Sequence, residues 1–171
     1  MTDRSKPRGR LAVHEWSAEQ LIRTERLELL PLPEPFVDVL LAGDVVGAGH
    51  EIGALVGSWF RSHPAHFAQL RLASRGVDAM TAPGLGWAIV RVDARGQRRL
   101  IGSIGFHGSP DDRGRLELGC RLHPAYRGRG FTAEAVAAFL DWAAATYGIT
   151  RFLVSVSSSS PPPHRVPRGV Q

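Results

Sequence analysis

The chain has one cysteine, Cys120, in 171 residues, so an internal disulfide framework is excluded and a cytoplasmic protein is expected. Lysine is almost as scarce: Lys6 stands alone, and every other strong base is arginine. No apolar run approaches the roughly 18 residues needed to cross a bilayer. The start, MTDRSKPRGR, is polar and basic with no hydrophobic stretch after it, so neither a membrane partner nor export is expected. His63 and His66 lie three residues apart without a further ligand cluster, and no metal site is expected.

A large basic face is missing too. Of the net charge of +5, residues 1–10 carry +3 and residues 151–171 another +3, leaving −1 on the 140 residues between. A nucleic-acid module needs its charge on the folded body, so nucleic acid is not an expected partner.

What is present is ordinary globular material, 43% hydrophobic and 22% charged. LIRTERLELLPL (Leu21 to Leu32) alternates like a strand, with Ile22 out of phase. Phe36, Val39 and Leu40 mark a short helix from Pro35, the segment around Gly47 and Gly49 reads as loop, and a second helix is expected over Pro64 to Arg75. Three strands follow: GWAIVRVD (Gly86 to Asp93), LIGSIGFHG (Leu100 to Gly108) and RLELGCRLH (Arg115 to His123). The turns ARGQ and SPDDRG separate them and make an antiparallel meander. FTAEAVAAFLDWAAATYG is then a helix with Val136, Leu140, Ala143 and Tyr147 on one face and Gly148 as its C-cap. RFLVSVS is a last, buried strand. The fold class is α+β, or α/β with a mixed, mainly antiparallel sheet and flanking helices. Three parts are expected: a basic segment 1–20, a domain 21–157, and a Ser/Pro-rich tail 158–171 without periodicity.

The stretch PAYRGRGFTAE places two glycines and two arginines between a strand and a helix. Amides at a helix start lack intrahelical partners and lie at the positive end of its dipole, so an anion can bind there. A Walker loop would need Lys and then Ser or Thr, where residues 130–132 read Gly-Phe-Thr; a dinucleotide fingerprint would need glycine at Ala133. On spacing alone, the same residues also suit an ordinary strand-to-helix turn. On the preceding strand, Glu117 lies opposite the apolar face of Leu116, Leu118 and Cys120. It shares its face with His107 if the hairpin sets 107 opposite 115. A carboxylate beside an imidazole can take a proton from an ammonium, though a plain surface pair has the same pattern. Cys120, on an apolar face with no base nearby in sequence, reads as a core thiol.

At these residues the chain resembles the GNAT family of N-acetyltransferases, whose signature is Arg/Gln-x-x-Gly-x-Gly/Ala. Arg127, Gly130 and Thr132 occupy the fixed positions, Thr132 departing from Gly/Ala. The stretch from Ile101 to Ala143 is similar to the ribosomal-protein N-terminal acetyltransferase branch, and the resemblance spans about Leu21 to Ser157, strongest from Leu100. It implies an acyl-CoA N-acyltransferase-like fold and transfer of acetyl from acetyl-CoA to a primary amine, on a protein N-terminus or a small molecule. By the same resemblance, backbone groups of Arg127, Gly128, Arg129, Gly130, Phe131 and Thr132 would hold the coenzyme pyrophosphate. Those of Cys120, Arg121 and Leu122 would line the pantetheine and thioester, and Glu117, with His107, would face the amine. Family members continue after such a last strand with Pro-x-Asn, a helix and two more strands; SSSSPPPHRVPRGVQ does not match that pattern. A C-terminally incomplete domain is therefore expected, and with it a second reading, an inactive coenzyme A-binding or structural remnant.

Overall fold

The computed structural model describes residues 21–63, 67, 86–108 and 110–156. Its centre is a six-stranded sheet in which the strands lie side by side in chain order. These are β1 (Ile22–Arg23), β2 (Leu27–Pro31), β3 (Trp87–Val92), β4 (Arg98–His107), β5 (Leu116–Leu122) and β6 (Phe152–Val156). Every neighbouring pair is antiparallel except β5 and β6, which run parallel. A parallel neighbour needs a long crossover, here a 17-residue helix, and this makes the sheet mixed as expected.

The helices are α1 (Glu34–Leu41), α2 (Val45–Ile52), α3 (Ser58–Ser62) and α4 (Phe131–Tyr147). They divide between the two faces of the sheet. On one face, α4 buries Phe131, Ala135, Phe139 and Ala143 against Leu29, Ile104, Phe106, Leu118 and Cys120. On the other, α1 to α3 bring Phe36, Leu40, Ile52 and Phe60 onto Leu30, Ala88, Val90 and Leu100. Two apolar layers around one amphipathic sheet bury most of the large side chains, and each fully buried Leu or Phe contributes about 1.5–3 kcal/mol.

Five expectations need correcting. The strand over Leu21 to Leu32 is a tight hairpin, β1–β2, because Thr24 breaks it: its hydroxyl accepts from the Leu27 N–H at 3.0 Å, and its own N–H donates to the Leu27 carbonyl at 2.9 Å. The phase slip at Ile22 was that turn. The Gly47–Gly49 segment is helix α2, capped by Asp44, whose carboxylate accepts from the Gly47 N–H at 2.8 Å. The buried stripe of α4 runs through Phe131, Ala135, Phe139 and Ala143, while Tyr147 is exposed; alanine at two of the four positions hid the stripe from a search for large side chains. Strand β6 is not fully buried: Phe152 and Val154 are half-buried on one face, and Leu153 on the other is 43% exposed. In the β4–β5 hairpin, His107 stands opposite Glu117 rather than residue 115. The connection is longer than its glycine suggests: Asp111 organises it, accepting from the backbone N–H groups of Arg113 and Arg115, each at 2.9 Å. The helix expected over Pro64 to Arg75 lies outside the described residues, apart from the buried Phe67, and the tail lies outside them entirely.

Candidate active site

Strand β5 sorts the candidate residues by parity. Leu116, Leu118, Cys120 and Leu122 are buried against α4, which leaves Glu117, Gly119 and Arg121 on the opposite face. Among the described residues, the helices on that face pack mainly over β2 and β3, and Glu117 is exposed. Cross-strand pairing puts His107 beside Glu117 and Ser103 beside Arg121. His107 also leans diagonally onto Gly119, where a Cβ would collide with its Nε2. Glycine at 119 thus makes room for the imidazole.

The Glu117 carboxylate has a partner that sequence reasoning missed. Ser155 Oγ on β6 donates to Glu117 Oε1 at 2.7 Å. The parallel register pairs Glu117 with Leu153 and Gly119 with Ser155, which makes the serine a diagonal neighbour. Cys120 is a core thiol: burial pushes its pKa up to about 12, so a thiolate nucleophile is not available there.

Beyond Cys120, which pairs with Val156, the strand continues through Arg121 and Leu122 past the last described residue of β6. The backbone then turns through a 3-10 helix at Pro124–Tyr126, closed by the His123 side chain, which accepts from the Ala125 N–H at 3.0 Å. His123 also packs between Trp59 of α3 and Tyr126, with ring centroids 4.8 and 5.8 Å away. Its pKa is lowered by burial, then by the nearby charges of Arg127 and His63. Only its place at the end of an apolar strand was visible in the sequence. Arg127 Nε donates back to the Leu122 carbonyl at 3.2 Å, tying the turn to the strand.

The two glycines of the turn are conformational necessities. Gly128 has φ of 73° and Gly130 of 81°, the left-handed region that costs an L-residue about 1–2 kcal/mol. Gly128, Arg129 and Gly130 are exposed, and nothing would lie within 4 Å of a Cβ at Gly128. Helix α4 starts at Phe131 with no side chain capping it. An open backbone turn leading into an uncapped helix suits a pyrophosphate group, with Arg127 and Arg129 adding charge. Among the described residues there is no cluster of His, Cys, Asp and Glu that could hold a metal ion, and no helix long and apolar enough to cross a membrane.

Residues 50–167 match the family model of the acetyltransferase (GNAT) domain. The chain belongs to the GNAT acetyltransferase family. This acetyltransferase chain is 26% identical over 139 residues to the uncharacterized N-acetyltransferase YjdG of Bacillus subtilis (strain 168), covering 77% of this chain and 76% of that one. It is 31% identical over 68 residues to a second from the same organism, the uncharacterized N-acetyltransferase YoaA, covering 40% of this chain and 37% of the other. Among solved structures it is similar to the Salmonella typhimurium acetyltransferase described as modifying the N-terminal serine of ribosomal protein L7/L12. That match has 18% identity, covers 78% of this chain and 73% of the other, and has a TM-score of 0.47.

Proposed function

We propose that this acetyltransferase moves acetyl from acetyl-CoA to a primary amine, on a protein N-terminus or a small molecule, with Glu117 as the proton acceptor. The observation that carries the reading is the uncapped N-terminus of α4, joined through the 3-10 and glycine turn to the strand that presents Glu117. The amides of residues 127–132 are assigned to the pyrophosphate, and the backbone of Cys120, Arg121 and Leu122 to the arm that leads to the thioester. The thioester supplies the acetyl group, and an amide N–H near Cys120 polarises its carbonyl. The neutral amine attacks the thioester carbon directly, the C–S bond breaks and coenzyme A leaves as its thiolate, a route that agrees with a Cys120 thiol too weakly acidic to carry acetyl itself. Glu117 takes the proton that the amine loses, and the Ser155 hydroxyl fixes the orientation of its carboxylate. His107, paired across the strands, is assigned to support that transfer. The domain is proposed to span residues 21–157, flanked by segments 1–20 and 158–171, and to work without a metal.

Steady-state kinetics with a panel of amines and amino-terminal peptides test the proposal. Glu117→Gln is expected to slow transfer by about 10²–10⁴, the usual worth of a general base, with coenzyme A affinity nearly unchanged. A wild type that turns over and a mutant that matches it across pH would remove Glu117 from the chemistry. Coenzyme A binding without turnover on any amine would favour the inactive remnant.

A further inference from the structure

Thr24 and Arg26 lie in the β1–β2 turn, outside residues 50–167 matched by the family model, yet both reach the start of α4. Arg26 Nε and Nη2 meet Glu134 Oε2 at 2.7 and 2.6 Å. The Arg26 backbone N–H donates to Glu134 Oε1 at 3.0 Å, and Thr24 Oγ1 donates to the same oxygen at 2.5 Å. Arg26 Nη1 donates to the Arg129 carbonyl at 3.0 Å, and the guanidinium carbon lies 4.3 Å from the centre of the Phe131 ring. One side chain therefore touches residues 129, 131 and 134 at once.

Glu134 poses an electrostatic problem for an anion site. It is the acidic residue in the first turn of α4, where its charge suits the helix dipole but opposes any other anion approaching the same amides. The guanidinium offsets that charge by directing Nε and Nη2 onto the one oxygen Oε2 while Nη1 reaches the Arg129 carbonyl, a spread of donors that an ammonium cannot reproduce. It also occupies the Arg129 carbonyl, whose negative end would otherwise be free to turn toward the bound phosphate.

We propose that Arg26 is a positioning residue for the coenzyme turn: it neutralises Glu134 and fixes the Arg129 carbonyl, so that the turn presents amides and positive charge to the pyrophosphate. This rests on the coenzyme reading above. Because Arg26 acts on binding and not on the reacting atoms, its loss is expected in the acetyl-CoA KM, with kcat at saturation and the acceptor KM retained.

Calorimetric titration with coenzyme A tests this on the wild type, Arg26→Met, Arg26→Met/Glu134→Gln, and Arg23→Met as a control from the same hairpin, whose ion pair with Glu28 at 3.5 Å does not reach the turn. Arg26→Met is expected to weaken binding about tenfold or more, because it leaves the Glu134 charge without its counter-charge beside the ligand. The double variant is expected to recover part of that loss, and Arg23→Met to bind like the wild type. Should Arg26→Met fail to fold, Glu134→Gln alone decides: binding as tight as wild type, or tighter, supports the proposal, and weaker binding overturns it. Wild-type affinity in a folded Arg26→Met, or a double variant no better than the single, overturns it as well. A wild type that does not bind coenzyme A overturns the coenzyme reading itself, and Arg26's part with it.

Discussion

Two glycine pairs with the same spacing, Gly47-Ala48-Gly49 and Gly128-Arg129-Gly130, serve opposite physical needs. The first lies inside α2, where glycine costs about 0.8–1 kcal/mol relative to alanine. It is kept because neighbours crowd it. A Cβ on Gly47 would come 2.9 Å from Val39 Cγ1 of α1 and against the Asp44 carboxylate, and one on Gly49 would sit 2.7 Å from the Ala54 carbonyl oxygen. The second pair is uncrowded, with open space at Gly128 and only Arg26 Nη2 at 3.4 Å from a Cβ at Gly130, and is kept for its positive φ. Glycine thus serves close packing in one place and backbone shape in the other, and only the second leaves a surface that a ligand can reach.

The largest expected effect breaks the second pair. Gly130→Asp puts a carboxylate at the start of α4, and aspartate is among the few L-residues that visit the left-handed region, so the chain is expected to fold. A Cβ there lies 3.4 Å from Arg26 Nη2, so the new carboxylate competes with Glu134 for the guanidinium and repels phosphate as well. Coenzyme A affinity should fall at least about 100-fold, or roughly 2.7 kcal/mol. Unchanged affinity by calorimetry in a folded mutant would take the pyrophosphate away from this turn.

The difference between the pairs also marks where sequence reading works. The Gly128–Gly130 turn was legible as a turn because it separates a period-two pattern from a helical one. Gly47 and Gly49 were misread as loop because their reason, contact with Val39 and Ala54, exists only once α1 and α2 pack. The meander β3–β5 was legible from three short apolar runs separated by glycine-containing turns. Its register was not, since the Asp111 turn shifts the pairing by two residues without changing which face Glu117 occupies. Ser155 meets Glu117 across 38 residues, and Arg26 meets Glu134 across 108. Partnerships of that range come from the sheet order and leave no local pattern.

A smaller effect sharpens the contrast from the other side. Gly49→Ala raises helix propensity but forces a methyl against the Ala54 backbone carbonyl, which cannot swing aside as a flexible side chain would. Overpacking of this kind costs about 1–3 kcal/mol, and each kcal/mol lowers the melting temperature of a domain this size by about 2–4 °C. Coenzyme A affinity of the folded fraction should stay at the wild-type value. A mutant as stable as the wild type would mean that α2 and the Ala54 segment separate easily. A stable mutant with weakened coenzyme binding would erase the distinction between the two pairs.

The smallest effect concerns protons. The glycine turn is bordered by His123, whose pKa is held below the ordinary value by burial, then by Arg127 and His63. A depressed pKa in the folded state means that the neutral ring is favoured by folding. Its stabilisation is complete above the unfolded value of about 6.5 and is lost as pH falls through the lower folded value. Protonation also fills the nitrogen that accepts from the Ala125 N–H, which opens the 3-10 turn leading to Arg127. The histidine of the other region, His50, is exposed on α2 and makes a matched control. Urea midpoints measured at pH 7.5, 6.5 and 5.5 should decline in the wild type and in His50→Asn. The decline should be shallower in His123→Asn, whose amide oxygen can still accept from Ala125 but does not titrate in this range. An equal decline in all three proteins would show that His123 does not set the acid response.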